Sequence, residues 1–238
     1  DDFSTYIREK TNCSVLRDAD AEADDLIARW IALHPTDEHV IISSDSDFYQ
    51  LITDKVTQFN GITDNLITLE GIYDAKGKQV IDKKTKEPKL LGDPEWLLFE
   101  KCMRGDSSDN VFSAYPGVRK KGTKNKVGLL EAFEDRKSKG YAWNNMMLQR
   151  WTDHNGAEHR VLDDYNRNKE LIDLTAMPDE IKDRVDLEII NQVTNKDVGQ
   201  VGSKFLKFCG KYELTRLSDN AEQYGRWLNQ TYQGALKQ

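Results

Sequence analysis

Three short acidic clusters carry the chemistry this sequence could perform: Glu22-Ala23-Asp24-Asp25, Asp45-Ser46-Asp47 and Asp106-Ser107-Ser108-Asp109. Each falls where a secondary-structure element is expected to begin or end. Carboxylates gathered from all three would repel one another by on the order of several kcal/mol unless cations stood between them, so their meeting implies metal. Oxygen-only ligands suit Mg²⁺ or Mn²⁺ and not zinc. A centre of that kind points to phosphodiester hydrolysis.

The geometry differs from cluster to cluster. Asp45 and Asp47 follow the apolar run Val40 to Ser44, at the carboxyl edge where open α/β sheets place their ligands. In extended backbone, residues two apart point to the same side, so both carboxylates can address one site. A turn capped by the same side chains is the competing reading. Glu22 to Asp25 open a helix, where acids are favoured by the dipole whatever the function. Two positions on a helix are about 200° apart, so Glu22 and Asp24 share a ligand only if Glu22 precedes the regular helix. Asp24 therefore ranks above Glu22, and Asp25 third. Asp106 and Asp109 stand at i and i+3 on one side of a turn, and Gly105 permits an abrupt change of direction before them. A solvated Ser/Asp loop is the alternative there.

Elements must bring these groups to one edge. The opening, Asp1 to Lys10, reads as the tail of a helix and Cys13 to Leu16 as a strand. Ala23, Ile27 and Ile31, with Leu26, Trp30 and Leu33, repeat at helical spacing until His34-Pro35 ends the helix. His39 to Ser44 is a β-branched run fit for a buried parallel strand, completing a βαβ unit. An amphipathic turn, Phe48 to Ile52, precedes strands at Val56 to Phe59 and Leu66 to Leu69, with a hairpin signal at Lys76-Gly77-Lys78. Asp93-Pro94 cap a helix over Trp96 to Met103. Helical spacing continues over Lys126 to Phe133, Ala142 to Trp151, Leu162 to Leu174, Asp179 to Ile190, Lys204 to Cys209 and Ala221 to Leu228. The chain divides near residue 92 into an α/β part, 1–92, and a helical part, 93–238, sharing a core. The five tryptophans are expected mostly in that core, and His154 and His159 in a solvated loop. A parallel sheet of two strands is small, which leads us to expect a further central strand upstream of Asp1 and to read the chain as a fragment.

In a chain of 238 residues, 38% hydrophobic and 32% charged, no apolar run reaches the roughly 18 residues a membrane span needs, so a cytoplasmic protein without a membrane partner is expected. Three cysteines without CxxC spacing exclude a disulfide framework or zinc site as the organising principle. A net charge of −7 argues against a polyanion partner, yet Gly117 to Lys126 carries Arg119, Lys120, Lys121, Lys124 and Lys126 and no acid.

The clusters Glu22-Ala-Asp-Asp, Ile42-Ser-Ser-Asp-Ser-Asp-Phe and Gly105-Asp-Ser-Ser-Asp-Asn, in this order, resemble the metal-binding motifs of the 5′ nuclease or flap endonuclease family. Tyr165 to Glu170, Ile172-Asp173 and Met177 to Ile181 are similar to its T-even-like phage branch, the ribonuclease H (5′-3′ exonuclease). The resemblance implies a PIN-like partial parallel sheet followed by a helical region with a helix-turn-helix-type DNA-binding motif. It implies that Asp24 and Asp45, helped by Glu22, hold one Mg²⁺, and that Asp47, Asp106 and Asp109 surround a second, partly through water, with Mn²⁺ as a substitute. Asp24, Asp45, Asp47 and Asp109 would be the catalytic set. Two divalent ions about 4 Å apart can clamp a scissile phosphate, activate a water and stabilise the departing oxygen. The family's glycine-rich phosphate-gripping turn corresponds to Gly117 to Lys124. Lys120 replaces its second glycine and Phe112 to Tyr115 form a short insertion. Phosphate contact is therefore expected from Arg119, Lys120, Lys121, Gly122, Lys124 and Lys126, through side chains as well as backbone, without a monovalent cation site. The family's first strand, with its metal-binding Asp, and its basic arch have no counterpart after Asp1, so this chain alone is expected to be inactive or to need a partner chain.

The resulting expectation is a Mg²⁺-dependent 5′-3′ exonuclease and flap endonuclease that removes RNA primers and 5′ flaps from branched or RNA-primed duplex DNA during phage replication. A single-strand DNA-binding protein is a candidate partner and the host cytoplasm the expected location. Two alternatives stand beside it: a non-catalytic, structure-selective DNA-binding fragment, and a Toprim- or phosphatase-like metal phosphohydrolase.

Overall fold

A computed structural model describes residues 2–194 and 196–234. The protein is α/β, with a four-stranded sheet in the order β1 (His39–Ile42), β2 (Val56–Asn60), β3 (Asn65–Thr68), β4 (Gly71–Asp74). β1 and β2 run parallel, with Ile41 opposite Gln58, while β2–β3 and β3–β4 are antiparallel. The parallel pair is joined through one 3₁₀ turn, Ser46–Leu51. After β4, Gly77 (φ +71°) turns the chain at the expected hairpin, and Tyr73 bridges Gln79.

Two compact units result, one made of Glu38–Ala176 and the other of Asp1–Asp37 with Met177–Gln238. The division expected near residue 92 falls within the unit 38–176. In the unit 38–176, α3 (Pro94–Arg104) starts as its sequence dictates, with Asp93 accepting from the Glu95 amide and Pro94 in the first turn. Its Trp96, Phe99 and Met103 pack with Leu129, Phe133, Met146, Met147 and Val161, from α4 (Leu129–Asp135), α5 (Tyr141–Met147) and α6 (Val161–Ile172). Ile52, Ile67, Ile72 and Leu91 fill a second cluster against the sheet.

The other unit holds α1 (Asp2–Lys10), α2 (Ala23–Leu33), α7 (Asp179–Thr194), α8 (Val201–Lys211), α9 (Thr215–Ser218) and α10 (Ala221–Asn229). Leu33 packs with Val185 and Ile189, and Tyr6 with Phe205, Cys209 and Ala221. The two ends of the chain are tied by Asn12, whose Nδ2 donates to the Asn229 carbonyl (2.8 Å) and whose Oδ1 accepts from the Val198 amide (2.7 Å).

Several expectations are corrected. Cys13 to Leu16 belong to no strand, so no βαβ unit forms around α2. Both backbone groups of Val15 are satisfied by the side chain of Gln192 (3.0 and 2.8 Å) in place of a neighbouring strand. The helix expected from Lys126 begins at Leu129, because Lys126 pairs with Thr123 and Gly128 forms the cap. The segment expected to be helical through Trp151 stops at Met147 and continues as the hairpin of β5 (Arg150–Thr152) and β6 (Glu158–Arg160). There His159 is not free in solvent: it stacks on Trp151 (4.3 Å) with its Nδ1 3.1 Å from Asp164 Oδ2. Trp227 is 55% exposed and not core. Among the described residues no helix is long and apolar enough to cross a membrane.

Candidate metal centre and basic loop

Asp47 is placed by a corner that follows β1. Gln58, fully buried on β2, donates from Nε2 to the carbonyls of Ser43 (2.8 Å) and Asp45 (2.7 Å), fixing the chain as it leaves the sheet. The Asp45 carboxylate accepts from the Asp47 amide (2.9 Å) and so caps the 3₁₀ turn. That leaves the Asp47 side chain turned toward α3, where it pairs with Lys101.

Asp106 and Asp109 are placed by the end of α3. Gly105, at φ +77°, reverses the chain, and Asp106 exchanges both backbone hydrogen bonds with Val111 (2.8 Å each), closing the loop that holds Ser107 to Asn110. Asp106 also accepts from the amide (2.8 Å) and the hydroxyl of Ser108. Asn168 on α6 anchors the exit of this loop, donating to the Phe112 (2.7 Å) and Cys102 (2.9 Å) carbonyls.

The outcome is one convergent group: a carboxylate oxygen from each of Asp47, Asp106 and Asp109 lies within 4.8 Å of the others. Lys101 from the last turn of α3 reaches into it, pairing with Asp47 and with Asp106 Oδ2 (2.5 Å). Burial opposes the charge of Lys101, but hydrogen bonds and attraction from Asp106 and Asp47 outweigh it and hold its pKa above the ordinary value. The bond to Lys101, then the Ser108 hydroxyl, drives the Asp106 carboxyl far below the usual range. Asp109 moves the other way, raised by desolvation and by the charge of Asp106. One ammonium thus leaves the three carboxylates under-neutralised. Hard oxygen donors, excess negative charge and a cation already bridging two of them fit a divalent ion of the Mg²⁺ type.

Asp45 is not in that group, its carboxylate being used as a cap. Glu22 and Asp24 belong to the other unit, at the start of α2. Glu22 is the residue before the helix, with extended backbone (φ −82°, ψ 168°), so the condition under which it and Asp24 can share a ligand is met. Asp25 accepts from the Glu22 amide (3.0 Å), a capping role. Lys101 had not been singled out in the sequence. A basic residue in a last helical turn is favoured by the dipole alone, so only its distance from Asp106, one turn on, could have marked it.

The basic loop lies between α3 and α4. Glu131 on α4 gathers it, accepting from the amides of Gly122 and Gly128 (3.0 Å each). The Glu131 carboxyl is lowered by its own amide and by those two. Leu129 and Leu130 donate to the carbonyls of Arg119 (3.0 Å) and Lys120 (2.9 Å). Arg119, Lys120, Lys121, Lys124 and Lys126 are exposed, and Lys120 lies 5.2 Å over the Trp96 ring. The Gly122 amide is thereby committed to Glu131 and does not face solvent as a free phosphate donor.

No family model matches the chain. A 5′-3′ exonuclease of Buchnera aphidicola subsp. Schizaphis graminum is 34% identical over 137 residues, covering 56% of this chain and 40% of that protein. The match thus spans less than half the length of the relative. Among solved structures, a bacteriophage T5 protein co-crystallised with metal ions is similar at 22% identity, covering 72% of this chain and 60% of that one with a TM-score of 0.42. The T5 flap endonuclease in a pseudo-enzyme–product complex with DNA and metal ions has 21% identity, coverage of 72% and 59%, and a TM-score of 0.42. The curated relative that this chain matches over 137 residues is thus a 5′-3′ exonuclease.

Proposed function

We propose that this chain is the metal-binding and duplex-gripping part of a Mg²⁺-dependent 5′-3′ exonuclease and flap endonuclease, acting on 5′ ends, flaps and RNA primers of duplex DNA. The reading rests on the convergence of Asp47, Asp106 and Asp109 around a cation. Bound there, a divalent ion supplies Lewis acidity at a phosphoryl oxygen and an activated water. The chain's own contribution is rigidity. Gln58 and the Asp45 cap fix Asp47, while the Asp106–Val111 pairing and Asn168 fix Asp106 and Asp109. Asp24 and Asp45, with Glu22, are the proposed holders of a second ion, Mn²⁺ substituting for Mg²⁺ at either place. Arg119, Lys120, Lys121, Lys124 and Lys126 are the proposed phosphate contacts, with the Gly122 turn as their frame. A replicative role in the cytoplasm, with a single-strand DNA-binding protein as a candidate partner, extends the same reading.

The test is hydrolysis of a 5′-labelled branched duplex with Mg²⁺ by the full-length protein. Asp47→Ala and Asp109→Ala are each expected to lower turnover by about a hundredfold or more while duplex binding stays measurable. Unchanged turnover in both variants rejects the assignment.

A further inference from the structure

We propose that Lys101 is the built-in counter-ion of the Asp47–Asp106–Asp109 centre. In the cation-free protein its ammonium holds the place between Asp47 and Asp106, and a divalent ion enters only by expelling it. The inference rests on the metal reading of the same site. Three observations carry it. Lys101 pairs with both carboxylates at once, from side chains only 25% (Lys101), 17% (Asp47) and 14% (Asp106) exposed, so this is no solvated surface pair. The wall beside Asp47 and Lys101 is made by Leu97, Leu98 and Ile172 together with the neutral Ser46, Tyr49 and Gln50, of which Gln50 is occupied with the Ile172 carbonyl and the Leu174 amide. Among the described residues lining it there is no other cation. Finally, both carboxylates are held by fixed backbone, so it is the flexible lysine stem that can yield.

The consequence is that metal uptake is an exchange of cations, and that affinity for metal is deliberately moderate. Removing the ammonium leaves the carboxylates with no resident partner to displace. Lys101→Met should therefore bind Mn²⁺, followed by electron paramagnetic resonance, about tenfold more tightly than wild type, equivalent to ~1.4 kcal/mol. Lys101→Arg keeps the charge and should stay close to wild type. In the unaltered protein, acylation of Lys101 followed by mass spectrometry should quicken when saturating Mg²⁺ is added, because the expelled amine meets solvent.

Equal or weaker Mn²⁺ binding in Lys101→Met, or Lys101 labelling that does not rise with Mg²⁺, overturns the exchange. The labelling arm uses the wild-type chain, so it decides the matter even if Lys101→Met fails to fold. Asp109→Asn separates the two readings. If it removes one of the bound Mn²⁺ ions while Lys101→Met is without effect, the metal site stands and the exchange falls. If Mn²⁺ binding is indifferent to Asp109→Asn as well, the metal site itself falls and the exchange with it.

Discussion

Gly105 is the residue on which the acidic loop turns. Its φ of +77° lies in the left-handed region, and a Cβ there would come within 2.3 Å of the Val111 carbonyl oxygen and 2.6 Å of the Phe112 carbonyl carbon. Backbone cannot retreat as a side chain can. Gly105→Ala should therefore cost about 2–4 kcal/mol in urea unfolding, and should weaken Mn²⁺ binding because Asp106 and Asp109 shift with the loop. Gly77 is the control: its φ of +71° is equally strained for alanine, but nothing lies within 4 Å of its Cβ position. Gly77→Ala should cost only the backbone term, about 1 kcal/mol, and leave metal binding alone. A second local group reports on pH. The Asp18 carboxyl is held down to about 2 by hydrogen bonds from the Arg184 guanidinium, then by the Asp20 amide. Since its folded pKa lies below that of an ordinary aspartate, its stabilisation is present above about pH 4 and is lost as pH falls toward 2. Arg184→Gln should return the Asp18 resonance in an NMR titration to near its ordinary range; a midpoint still near 2 would show that the pairing is not the cause.

The helices carrying the candidate site were legible where local signals settle them. Asp93-Pro94 announced α3, and the acids at the start of α2 announced its first turn. What escaped reading was decided by partners distant in sequence. Cys13 to Leu16 has strand composition, but its hydrogen bonds go to Gln192, a side chain no local window contains. The apolar residues around Trp151 fit a helix until the chain turns at Asp153 to Gly156, where Asp153 accepts from the Asn155 and Ala157 amides (2.9 and 2.8 Å). The two acidic clusters that meet were legible as candidate ligands, but the lysine between them was not, because its pairing depends on α3 and the 3₁₀ turn lying side by side. Asn168 belongs to the same class. It is completely buried on α6, and its one amide group satisfies carbonyls at the end of α3 and beyond the acidic loop. Asn168→Leu leaves both carbonyls without a donor and should lower stability by about 2–4 kcal/mol, with a loosened Asp106–Asp109 loop seen as faster amide exchange at Val111. Protection of Val111 unchanged from wild type would show that the clamp does not hold the loop.

Taken as a whole the molecule is acidic, with a net charge of −7, and the basic loop must act against that background. Under the proposed function, long-range attraction of a duplex is therefore weak, and binding has to come from close phosphate contacts that release counterions. Each such contact contributes a slope of about −0.9 in log affinity against log salt. The exposed cations are not equivalent. Lys121, Lys124 and Lys126 stand on the loop, whereas Lys120 lies over the Trp96 ring, an interaction a phosphate would have to replace. Removing Lys121 and Lys124 together, as Lys121→Gln and Lys124→Gln, should flatten the salt slope for a forked duplex by nearly two units. Lys120→Gln should flatten it by clearly less than one. The circular dichroism of both variants should match wild type, because all three side chains are exposed. If the double variant binds with an unaltered slope, the duplex is held elsewhere, and the acidic surface has no compensating face in this loop.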